Sequence, residues 1–151
     1  MLRSPLSLLI AGLVAATSSR SGAGTAPPAP APAAFRVIVA PSNRVDGVDR
    51  RFLLEAFLRK TTVWPDGQPL RPVDQPADSP TRRRFSQDAL RRPVSGVKEY
   101  WLQAIFSGRG VPPPEVDSDA EVVKFVLQTA GAIGYVSSDA ALGGAKVVSV
   151  K

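Results

Sequence analysis

Phe57-Leu-Arg-Lys-Thr-Thr-Val-Trp64-Pro-Asp-Gly67, followed by Asp78-Ser79-Pro80-Thr81-Arg-Arg-Arg84-Phe85, decides how this chain folds. The first part reads as a helix end running into a tight turn. Pro65 presets one backbone angle and Gly67 permits a positive one. Leu70 to Val73 then reads as a short strand. Ser79-Pro80 is a strong helix start, with Ser at the N-cap and Pro at the first helical position. Such a start gathers unpaired amide donors and about half a positive charge, so oxyanion binding is the first function to consider.

Working outward, Phe35 to Ala40 is a short apolar, β-branched run that ends at Pro41 and reads as a buried strand. A helix is predicted over Asp49 to Leu58, with Phe52, Leu53, Ala56 and Phe57 on one face. The helix opening at Ser79 turns Phe85, Ala89 and Leu90 inward. Another is predicted from Val94 to Phe106, with Val94, Val97, Trp101 and Ile105 at helical spacing. Gly108-Arg109-Gly110 stops it, and Pro112-Pro113-Pro114 blocks continuation. Ser118 and Glu121 form a capping box for a last helix, whose face is read as Val123, Val126, Leu127 and Ala130. Ala132 to Val136 and Lys146 to Val150 are the remaining strands. The fold class is therefore α/β, a small sheet flanked by about four helices.

Composition removes several chemistries. The chain has no Cys and no His. Serine and cysteine triads, His-based zinc sites and disulfide scaffolds are excluded, and no carboxylate pair suggests acid–base work. An enzyme is not expected, and neither is a cofactor or a metal.

Residues 1–20 read as a signal peptide: Arg3 precedes an apolar core from Leu6 to Ala16, and small residues follow. An uncleaved anchor is the alternative, but the apolar core is short for spanning a bilayer. Residues 21–34 form an Ala/Pro-rich linker that favours extended backbone. The domain is expected over residues 35–151, in the periplasm or secreted, with no stable membrane insertion after signal cleavage. Residues 1–34 carry Arg3 and Arg20 and no acid, which leaves +4 of the formal +6 for the domain. Arg82-Arg83-Arg84 and Arg91-Arg92 supply much of it, either as solvated helix faces or as attractors of anions. No nucleic-acid partner is expected.

In order, Phe57-x-x-Lys60-x-Thr62-x-Trp64, Ser79-x-Thr81, Gly108-Arg-Gly110 and Gly131-Ala-Ile-Gly-Tyr-Val136 resemble the periplasmic phosphate-binding proteins of phosphate ABC transporters. Short single-lobe relatives of that family are the nearer likeness. The resemblance implies one lobe of a type II periplasmic-binding fold and weak binding of phosphate or a similar oxyanion. It implies Ser79, Thr81 and, one residue on, Arg82 as ligands. It also exposes departures: Gln75, Ala77 and Pro80 stand where the family has Arg, Asp and Gly, and Pro80 removes an amide donor. Ser42 and Asn43, after the first strand, are further ligand candidates by the rule for open α/β sheets, or plain turn residues. Ser79 and Thr81 equally read as simple caps. Trp64 and Trp101 read as core or turn anchors, and Arg109 as part of a helix stop or a contact loop. The alternative function is an envelope protein-interaction or sensory module that has kept the fold and lost the ligand.

Overall fold

The computed structural model describes residues 35–151; the expected signal peptide and linker lie outside the described residues. Five strands and four helices occur there, in the order β1 (Phe35–Val39), β2 (Gly47–Val48), α1 (Arg50–Phe57), β3 (Arg71–Pro72), α2 (Pro80–Asp88), α3 (Val94–Phe106), α4 (Asp119–Gln128), β4 (Ala132–Ser137) and β5 (Lys146–Val150). The sheet runs β2-β5-β1-β4-β3. At its centre β1 is antiparallel to both neighbours, placing Val37 opposite Tyr135 on one side and Val148 on the other. The short outer strands β2 and β3 run parallel to β5 and β4.

Because side chains alternate along a strand, the sheet has two apolar faces, each needing cover. Val37, Val39, Ile133 and Tyr135 face α1, α2 and α3, meeting Leu53, Phe57, Phe85 and Trp101 in one core. Ile38, Ala132 and Val136 face the other way and pack with Val122, Val123 and Val126 of α4. The result is an α/β domain of three layers.

Local signals placed the helices well. Asp49 caps α1, its carboxylate accepting from Phe52 N at 2.6 Å. Ser118 caps α4 through Glu121 N at 3.2 Å, and α3 ends at Ser107, just before Gly108. Trp64 is 2% exposed and anchors its turn to β4 by donating its indole N–H to Gly131 O at 2.9 Å.

Two helix faces differ from the expectation. On α3, Ile105 is 48% exposed, and Ala104 packs inward instead. On α4, Leu127 points outward and Val122 takes the core position, while the helix ends at Gln128 and leaves Ala130 exposed beyond it. The reason lies in the partner surface. Gly134 leaves a groove in β4, and a Cβ there would stand 2.6 Å from Val122 and 2.9 Å from Val73. The helix seats the Val122–Val126 stripe into that groove, and this turns Leu127 away. The strand expected over Leu70 to Val73 is paired only at Arg71–Pro72, and the two-residue β2 carried no sequence signal that distinguished it from loop.

Candidate functional site

Beyond β3 the chain crosses the end of β4 and turns into α2. Ser79 sits at the N-cap in extended backbone; its hydroxyl accepts from Arg82 N at 3.2 Å and donates to Gln75 Oε1 at 2.7 Å. Gln75 is 3% exposed and acts as a hub. Its side-chain amide donates to Asp119 Oδ1 at 2.9 Å and to Tyr135 O at 3.0 Å. Asp119, in the first turn of α4, also accepts from the backbone and hydroxyl of Ser137. One connected set of hydrogen bonds thus ties the starts of α2 and α4 to the end of β4.

The charged part of this set is built on Arg82. Its side chain is 8% exposed and lies 3.2 Å from Asp74 Oδ2 and 2.7 Å from Glu115 Oε1. It also donates to Gln75 O. Asp74 accepts in addition from Tyr135 Oη and from Gln75 N. Burial pushes the Asp74 carboxyl above its usual range, against the pull of Arg82 and the bond from Tyr135. The Tyr135 phenol is raised too, by burial and by the neighbouring Asp74 charge. The ring of Tyr135 stacks on Phe85 at 3.9 Å between centroids, so the same residue joins the polar set to the core. Glu115 is held in place by its backbone: a bridge pairs it with Asp74, with Asp74 N donating to Pro114 O at 2.9 Å and Val116 N to Asp74 O at 3.0 Å.

A cleft of about 320 Å³ opens beside this cluster, between α2, α3 and the Pro-rich loop. Asp74, Arg82 and Glu115 line it on one side. Trp101, Leu102, Ile105 and Pro112 supply an apolar wall, and the exposed Lys98 completes it.

The sequence candidates fall into two places. Ser79, Thr81 and Arg82 share the first turn of α2, with Ser79 and Arg82 engaged as described and Thr81 half-buried. Ser42 and Asn43 follow β1, which runs antiparallel to β4, so they emerge at the opposite end of the sheet from α2. There Asn43 closes a turn: its N donates to Ala40 O at 3.0 Å, and its side chain accepts from Val45 N at 2.9 Å. Asp74, Glu115 and Tyr135 were not among the site residues expected from the sequence, although Tyr135 falls in the Gly131–Val136 run. One signal was legible, an acid directly after the buried β-branched Val73, where a strand delivers its next residue to a buried position. Among the described residues no group of acids, His or Cys could hold a metal. No helix among them is long and apolar enough to cross a membrane.

No family model matches this chain, and no curated protein does. Solved structures do. An ABC-type phosphate transport receptor from Vibrio cholerae aligns at TM-score 0.58 and 18% identity, over 78% of this chain and 46% of its own. A putative phosphate ABC transporter substrate-binding protein from Clostridium perfringens, solved with bound phosphate, aligns at 0.62 and 19%, over 78% and 45%. PstS from Borrelia burgdorferi aligns at 0.56 and 17%, over 79% and 47%. The chain spans a little under half the length of each. Its fold is therefore that of part of a phosphate-transporter substrate-binding protein, consistent with a single lobe.

Proposed function

We propose that this domain is an exported recognition module built on a solute-binding lobe, acting by interaction with an envelope partner rather than by capturing free phosphate. One observation carries the reading: Arg82, the cation nearest the α2 start, is already held by Asp74 and Glu115. An arriving phosphate would meet a guanidinium whose charge is already matched by two carboxylates. Pro80 withholds the amide that a glycine would offer, and the Ser79 hydroxyl is spent on its cap and on Gln75. Calorimetric titration of the protein with inorganic phosphate tests this. No saturable heat is expected up to millimolar phosphate, and micromolar binding would overturn the reading.

Weak oxyanion binding is the second reading, favoured by the exposed Arg83 beside the first turn of α2 and by the phosphate-binding nature of the aligned proteins. In the same titration it appears as shallow, salt-sensitive binding, because an exposed cation is screened.

A further inference from the structure

Glu115 stands apart in the cluster. Asp74 is 9% exposed at its side chain and belongs to the interior, whereas the Glu115 side chain is 52% exposed and reaches Arg82 from the side of the cleft. The guanidinium thus has one permanent carboxylate and one that solvent can reach. Next to the second lie the apolar surfaces of Trp101, Leu102, Ile105 and Pro112. Leu102 and Ile105 are 45% and 48% exposed, apolar area still to be covered.

We propose that this cleft binds a carboxylate carried on an apolar body, and that Glu115 is its built-in placeholder. The proposal rests on the reading that phosphate is not the ligand, and names the chemistry that the site takes instead. A carboxylate that displaces Glu115 exchanges one monoanion for another on Arg82, so electrostatics at the guanidinium change little. Glu115 itself is half in water already, and the incoming carboxylate takes over its place on the buried guanidinium, so Arg82 is never left unpaired. The gain comes from the apolar wall, where covering side chains removes area from water. Charge balance also sets selectivity. Arg82 and Lys98 are matched by Asp74 and the incoming carboxylate, whereas a phosphate dianion brings a second charge with no cation to meet it. An acidic side chain on a partner's apolar segment and a small apolar acid share this chemistry.

Titration of the protein, followed by nuclear magnetic resonance shifts of the Trp101 indole, distinguishes the two sources. One arm uses phenylacetate, the other a capped tripeptide with glutamate between two leucines, and a third inorganic phosphate. Saturable shifts are expected with the carboxylates and none with phosphate. Binding by the peptide alone identifies a protein segment as the occupant; equal binding by phenylacetate identifies a small acid. Glu115→Gln, which removes the competing charge and keeps the size, should tighten carboxylate binding about threefold to fivefold. Ile105→Ser, at an exposed position that tolerates the change, should weaken it. An unchanged affinity in Glu115→Gln overturns the placeholder role. Failure of both carboxylates in both proteins overturns the site while leaving the phosphate-free reading intact, and tight phosphate binding overturns that reading itself.

Discussion

Arg82 illustrates how environment changes what position suggests: it stands at a helix start like a free cation, yet it is buried and paired with Asp74 and Glu115. In the sequence it opens a run of three arginines at a helix start. In the fold it alone is buried; Arg83 is exposed, and Arg84 pairs with Asp88 along the same helix. Removing it would strand Asp74 as an uncompensated buried acid. Arg82→Ala should therefore cost about 3–5 kcal/mol in urea unfolding, against about 0.5 kcal/mol or less for Arg83→Ala. Tyr135 gives a second test with a defined sign. Its phenol is raised above the ordinary value of 10.0. Below that pH both folded and unfolded chains keep the proton. Above it the unfolded chain loses the proton first, so stability falls as pH rises, by about 1.4 kcal/mol per unit from this group. Alkaline melts should show that fall, with the Tyr135 share of the phenolate absorbance appearing only on unfolding. Tyr135→Phe should flatten the alkaline slope.

Helix limits were legible because their determinants are local. Ser79-Pro80, Ser118 and Gly108 specify caps and stops within one turn of themselves, and α2, α3 and α4 begin or end where those residues stand. Helix faces were less legible, since the turn of a helix about its axis depends on what it meets. Neither Leu127 nor Val122 could be assigned to the core without knowing that Gly134 makes the groove beneath α4. Gly134→Ala drives a methyl into Val122 and Val73, both fully buried. It should lower stability by about 1–3 kcal/mol through overpacking, measured by denaturant midpoint. The site was the least legible part. Arg82 and Glu115 are 33 residues apart, and Tyr135 and Asp74 are 61 apart, so no spacing rule joins them. The departures Gln75 and Pro80 were visible, but the hub that Gln75 forms was not.

At the scale of the whole molecule, the similarity to solved phosphate-binding proteins fixes the architecture and leaves the chemistry to this chain's own residues. Two helical layers enclose a five-stranded sheet, and the polar set closes one end of it around Arg82. Beside that set the cleft stays open at the surface, lined by charged side chains and by the apolar wall of α3. The order of the strands has one more consequence. The central strand β1 comes first among the described elements, yet both its neighbours, β4 and β5, come last. As the chain is synthesised, β1 has no partner on either edge until residues 132–150 follow it. Until then Phe35–Val39 is a bare apolar strand open to pairing with any other chain. Pairing of β1 must wait for β4 and β5, and the interval before they arrive is when this domain is most exposed to misassembly.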